Sequence, residues 1–323
     1  MVRTLPIVMP PIETYQSSSF ILGIVLANDN IKNAYFNNYI NLSCNNTSDI
    51  WNMNLRFVND LWEDYRVAGL AEMDMYHLKN IAKENFGDFI KERIDQGNYL
   101  LLYYIDEYYL SYTENYMKKH FIHDTYIYGY STDLFYIMAY KDNKLQTCEI
   151  LIEEIVSGIY AYMDVDKDAN FCSFRPFHAI HVEIDCMKIK NEIRNYVKGY
   201  QLNSDGIISG IGIYDILMCC LRSKIDSYEH NKLDLRVFRL LWEHKKVLID
   251  HIKEIINSKN CKEVCIDKME YIERNANKVF MLAIKYNMIY DKKILYNMLC
   301  YIDEMKRGEK VALELFLETC WRV

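Results

Sequence analysis

Between Tyr99 and Asp142 the sequence gathers the groups that proton transfer needs. Asp106 and Glu107 close one apolar run, and His120, His123 and Asp124 open the next. Imidazole ionises near neutrality, so a histidine held by a rigid element and oriented by a carboxylate makes an effective general base. His123 stands at the start of a predicted strand, one hairpin away from another. Asp106 or Glu107 is near enough in sequence to orient its ring. A second reading fits the same residues: a strand-end histidine bonded to a backbone carbonyl.

The elements that must position these groups are legible as apolar periodicity. YLLLYYI (99–105) reads as a buried strand, and IHDTYIYGY (122–130) as a second one ended by Gly129. LFYIMAY (134–140) follows across a turn at Ser131-Thr132-Asp133, and LQTCEI follows the turn at 141–144. A short helix is expected near 113–119. Upstream, Ser17-Ser18-Ser19 precede FILGIVLAN and read as a helix N-cap, with the helix running from about Ser18 to Ala27. Leu78, Ile81, Phe86, Phe89, Ile90 and Ile94 recur at helical intervals, predicting a helix over 76–96 closed by Gly97. Residues 31–43 fit helix and strand alike, and 45–72 are ambiguous. Residues 150–161 read as a helix, HAIHVEID (178–185) as a strand and 186–199 as an amphipathic helix closed by Gly199. Beyond Gly212 the pattern is helical over 213–226, 233–257, 262–286 and 291–320. The expected fold class is α+β. A mixed domain over 1–205 carries an antiparallel sheet, and an all-helical region covers 206–323.

The stretch YIDEYYLSYTENYMKKHFIHDTYIYGYSTDLFYIMAY, with its D-E-Y-Y and H-F-x-H-D-x-x-I-Y-G-Y segments, resembles the butirosin-biosynthesis H-type N-terminal domain family. LDLRVFRLLWEHKK (233–246) resembles a further stretch of members found near nonribosomal peptide genes. The resemblance spans most of residues 5–260. It implies a papain-like, C39-peptidase-like core. The implied activity is transfer of an acyl or peptidyl group from a carrier-protein thioester to a small amine or peptidyl substrate, forming an amide in antibiotic biosynthesis. No cofactor and no metal are expected. His123 falls on the catalytic histidine. The acid expected near the end of the following strand is missing, because that position reads Met138-Ala139-Tyr140.

The family's nucleophile is a cysteine at the N-terminus of the first helix, where dipole and free N–H groups lower a thiol's pKa. This chain has Tyr15, Gln16 and Ser17 there instead. Ser17 is the expected stand-in and Gln16 a candidate oxyanion donor. A purely capping role for the serines fits as well. Cys44 is the nearest thiol in sequence and the alternative nucleophile. Two functions follow: an acyltransferase using His123 and Ser17, or an inactive homologue that binds a carrier protein or peptidyl product.

Composition narrows the field. Net charge is −7 and basic residues appear only as isolated pairs such as Lys118-Lys119, which disfavours nucleic acid. The ten cysteines include no C-x-x-C pair, so a reduced, cytoplasmic chain with buried thiols is expected. Cys261 and Cys265 lack a second pair. No apolar run has the length of a membrane span, and the N-terminus lacks the apolar core of a signal peptide. His178 and His181, three apart on a predicted strand, face opposite sides and make a poor metal pair. Asp164, Asp166 and Asp168 alternate like a calcium loop, but Ala169 replaces its glycine and Arg175 its closing glutamate. Asp234, Arg236, Glu243 and His244 read as a polar network between helices. The 28 tyrosines suit core edges, where a hydroxyl can still find a partner.

Overall fold

The β-rich stretch after Tyr99 builds the central sheet. In the computed structural model, which describes residues 2–62, 69–142, 144–163, 165–177, 179–202, 206–227, 231–260 and 265–321, seven strands form one antiparallel sheet. They are β1 (Arg3–Thr4), β4 (Ala71–His77), β5 (Tyr99–Asp106), β6 (Ile122–Tyr130), β7 (Leu134–Lys141), β8 (Lys144–Leu151) and β9 (Asn170–Pro176). The spatial order is β4-β9-β5-β6-β7-β8, and β1 pairs with the far end of β6. Helix α1 (Gln16–Leu26) covers one face: Phe20 stacks on Tyr126 at 4.7 Å and meets the edge of Tyr99 at 6.1 Å. Helices α3 (Phe86–Asp95) and α4 (Ile152–Tyr162) cover the other, where Phe86 packs on Phe171 and Tyr160. Gly158 lets α4 approach β5: a Cβ there would sit 2.8 Å from the Ile105 side chain. Mixed helix and antiparallel sheet make the chain α+β.

Three local expectations change. The helical spacing over 76–96 covers a strand, β4, two 3-10 turns at Leu78–Asn80 and Lys83–Asn85, and then α3. AEMDMYH alternates at period two, and pairing with β9 outweighs the helical spacing of Leu78 and Ile81. HAIHVEID forms no strand over 179–185; Val182 bonds singly to Asn30, and the strand lies earlier, at β9. Residues 113–119 form turns, with Met117 at φ 55°. His178, Asp164 and Cys261 lie outside the described residues.

The chain divides into two compact units, and the sheet just described belongs to the first, Met1–Asn33 with Leu61–Val182. The second comprises Ala34–Asp60 and Glu183–Val323. This replaces a single cut at residue 205, because strand pairing crosses it. Strands β2 (Leu42–Asn45), β3 (Arg56–Phe57), β10 (Tyr200–Leu202) and β11 (Ile207–Ser209) form an antiparallel sheet ordered β10-β11-β2-β3. The short helix α2 (Asn33–Phe36) precedes β2. Strand β11 also means that 206–323 is not helical throughout. Gly210, at φ 65°, follows β11 so closely under Tyr196 that a Cβ would lie 2.3 Å from that residue's carbonyl oxygen.

Helices α5 (Cys186–Lys198), α6 (Ile213–Asp226), α7 (Leu235–Lys259), α8 (Ile266–Ile289) and α9 (Lys292–Cys320) complete the second unit. Asp185, Asp234 and Asp291 accept first-turn N–H bonds at the starts of α5, α7 and α9. Pairs such as Lys253–Glu270 and Trp242–Glu273 show α7 and α8 running antiparallel; Tyr271–Glu304 and Lys278–Tyr301 show the same for α8 and α9. Among the described residues no helix is long and apolar enough to cross a membrane.

The core of this unit holds a charge pair. Lys245 and Glu309 are both fully buried and 2.7 Å apart. Lys245 Nζ also donates to Tyr196 Oη and His244 Nδ1, each at 3.0 Å, while Tyr196 and Tyr214 donate to Glu309 at 3.1 and 2.6 Å. His244 Nε2 donates to the Ile40 carbonyl at 2.8 Å. Burial and the neighbouring ammonium hold the His244 pKa well down, so the ring is neutral and accepts from Lys245. Of the four residues expected to form a polar network between helices, His244 joins this cluster, whereas Asp234 bonds Arg236 and Glu243 bonds Arg239 locally along α7. Removing one member strands a buried charge. Lys245→Met should cost about 3–5 kcal/mol, and adding Glu309→Leu should recover part of that loss, as read by urea unfolding of the single and double variants.

Candidate functional site

Helix α1 begins at Gln16, with extended Tyr15 as its N-cap and no side-chain cap bond from that residue. Serine capping is thus not what starts the helix. Ser19 Oγ instead bonds back to the Tyr15 carbonyl at 2.7 Å. Gln16 is buried and its Nε2 donates to the carbonyls of Asp124 and Met138, at 3.2 and 3.4 Å. Both amide hydrogens are therefore spent tying α1 to β6 and β7, which removes Gln16 as an oxyanion donor. Its Oε1 is buried with no hydrogen-bond partner.

The alternation of β6 then decides what meets α1. Successive strand side chains point to opposite faces. Asp124 and Tyr126 face α1: Tyr126 Oη donates to Asp124 Oδ2 at 2.9 Å and is bonded by Ser17. A run of hydrogen bonds thus links the Ser17 hydroxyl, the Tyr126 phenol and the Asp124 carboxylate. Burial raises the Asp124 pKa, opposed by the Tyr126 bond and the charge of His123. Burial and Asp124 push the Tyr126 phenol well above its ordinary pKa, so it stays protonated. On the same face Tyr103 of β5 contacts the Cys172 thiol of β9 at 2.6 Å, and Trp62 leans on Tyr103. Burial pushes the Cys172 pKa up to about 11, so this thiol is no nucleophile at neutral pH.

His123 and Thr125 face the other way. Tyr112 lies 3.3 Å from Thr125, and His123 Nδ1 lies 3.2 Å from Glu107 Oε1, whose Oε2 accepts from Asn115 at 2.6 Å. Beside this pair, the buried Asp106 accepts the N–H groups of Tyr108 and Phe121 and holds His120 Nδ1 at 2.6 Å. The Tyr108 ring stacks on His120 at 4.4 Å. Two carboxylate–imidazole pairs therefore stand side by side in sequence, Asp106–His120 and Glu107–His123.

The structure thus brings His123 to Glu107, and Ser17 to Tyr126 and Asp124, on opposite faces of the sheet. His123 and Ser17 do not meet as a base and nucleophile. Cys44 belongs to the second unit, on β2, where burial raises its thiol to about 12. Tyr126 and His120 carry bonds that sequence reasoning did not assign. The signal for Tyr126 was present in its two-residue spacing from Asp124 on a strand. Among the described residues no group of three or more His, Cys, Asp or Glu could hold a metal ion. Asp168, from the aspartate run, pairs with Lys79 at 2.6 Å. No family model matches this chain, and no curated protein aligns significantly with it.

The His123–Glu107 bond raises the folded-state pKa of His123 above the ordinary 6.5, against a smaller lowering by burial. A raised folded pKa stabilises the fold fully below the unfolded value, and the gain is lost as pH rises through the folded value. Glu107→Gln should therefore destabilise the protein more at about pH 6 than at about pH 9. Urea midpoints of wild type and variant across that range would show a gap that narrows as pH rises.

Proposed function

We propose that this chain is a catalytically inactive relative of thioester-dependent acyl or peptidyl transferases, one that binds an acyl or peptidyl carrier protein or its peptidyl product. One observation carries the reading: the hydroxyl at the start of α1 bonds to a phenol held by Asp124, while the imidazole that would activate it bonds to Glu107 on the opposite face. A phenol that keeps its proton cannot serve as the missing base. Gln16 supports the same reading, since its amide hydrogens are committed to two carbonyls. A binding partner needs only the surface that once presented the thioester.

A second reading keeps the enzyme. The raised pKa of Asp124 makes it a better base than an ordinary carboxylate. The Ser17 proton would pass through Tyr126 to Asp124 as Ser17 Oγ attacks the thioester carbonyl; the C–S bond would break, with Asp124 returning that proton so that the thiol leaves, and an amine would then attack the acyl-Ser17 ester, its proton passing to Ser17 Oγ as the amide is released.

Incubation with a carrier protein bearing an acyl-phosphopantetheine thioester separates the two. The binding reading expects a saturable complex, unchanged intact mass and no thiol release above background. An acyl adduct that is lost in Ser17→Ala, with turnover falling by about 10²–10⁴-fold in Asp124→Asn, would replace it with the transferase reading. Failure of both binding and acylation would discard the two together.

A further inference from the structure

Strand β4 ends the large sheet on one side, and among the described residues its outer edge has no strand beside it. The ladder to β9 shows which of its groups are left over. Phe177 N donates to Leu70 O, and Leu78 N to Ala169 O, each at 2.9 Å. Hydrogen-bonded pairing therefore falls on the even residues, opposite Arg175, Ser173 and Phe171 in the register. Ala71 stands opposite Pro176, a residue with no N–H to give, in agreement with that phase. The N–H and C=O groups of Met73 and Met75 point away from β9, to the open edge. Their side chains are 37% and 57% exposed and lie on the same face as their partners Phe174 and Cys172, the face that α1 covers further along the sheet. On the opposite face Glu72 and Asp74 are exposed; Glu72 pairs with Arg175, Asp74 accepts from Tyr76 Oη at 3.3 Å, and Tyr76 is packed on Phe171 and Phe89.

We propose that β4 is a docking edge for an extended peptide whose residues alternate between apolar and basic. An outward row of main-chain donors and acceptors is satisfied by another extended backbone. Partner side chains on the α1 face meet Met73 and Met75, which calls for apolar residues. Those on the other face meet Asp74, which calls for lysine or arginine, beside Glu72, which already pairs with Arg175 of β9. A second copy of the chain meets repulsion at its longest overlap. A twofold axis through Asp74, which pairs the whole of β4, sets two aspartates face to face. Like charges directly opposed across a strand pair repel. The docking edge stands whether or not the start of α1 supports turnover.

The test uses the full chain and a fluorescent seven-residue peptide of alternating valine and lysine. Saturable binding is expected by anisotropy. N-methylation of alternate peptide amides on the pairing side should weaken it by about fivefold or more for each bond lost. Met75→Pro deletes an outward N–H that β9 does not use, and should weaken binding similarly while the unfolding midpoint stays close to that of wild type. Asp74→Lys should disfavour the valine–lysine peptide and favour a valine–glutamate one. Equal binding of the N-methylated peptide, or no binding by wild type, would overturn the proposal. So would a wild-type dimer that Met75→Pro turns into a monomer, since the edge would then belong to a second copy.

Discussion

The pleat of β6 is the constraint on which the first unit depends. This strand lies inside the large sheet, between β5 and β7, and both of its faces are covered by helices. A one-residue change of register would exchange everything it carries from one face to the other. In the observed register, Tyr126 reaches Phe20 and Ser17 of α1, while His123 and Thr125 reach the segment that follows β5. The apolar demands hold this phase. Tyr126 and Ile127 are fully buried on opposite faces, and neither could be turned towards water without a large loss of apolar burial. Packing thus sets which of two adjacent residues, His123 or Asp124, meets the first helix.

The second unit depends on polar satisfaction in place of pleat. Glu309 and Lys245 have no access to water, and each is tolerable only because tyrosine hydroxyls and a neutral imidazole complete its hydrogen bonding. His251 extends the theme. Both of its ring nitrogens lie against carbonyl oxygens, Val247 on one side and Tyr35 and Asn38 on the other, while burial lowers its pKa. Each of these side chains ties α7 to another segment, so α7 is fixed by direction-sensitive bonds as well as by apolar packing.

Strong, uninterrupted periodicity was legible. Strands β5 to β8, helices α4 to α9 and the closure of α5 at Gly199 follow from apolar runs, apolar spacing and capping chemistry, because each strand is an apolar stretch bounded by turns and each helix buries one face. The failures share a cause. Strand β4 is an edge with mostly exposed side chains, and its short period-two alternation is outweighed along the chain by Leu78 and Ile81 beyond it, which imitate a helix. Strand β9 reads NFCSFRP and is recognisable only through the neighbours it pairs with on both sides. At the candidate site, the residue types were found but not their faces. Sequence adjacency suggested that Glu107 could orient His123, and the two are bonded. Whether that pair faced α1 depended on strand phase, and the irregular register between Leu102 and Ile105 hides it from any count along the chain.

The interleaving of the two units bears on how the chain comes off the ribosome. Strand β2 emerges early, straight after α1 and α2, yet its partner β11 includes Ser209, and its inner side stays unpaired until that residue has been made. Throughout the synthesis of the large sheet the segment 34–60 is a guest without a host. It carries the buried aromatics Tyr35, Tyr39 and Phe57 and the thiol of Cys44. Assembly therefore cannot proceed strictly from the N-terminus, as it does when consecutive domains fold one after another. The first unit can close around a looped-out excursion of its own chain, and the second must reach back to retrieve it.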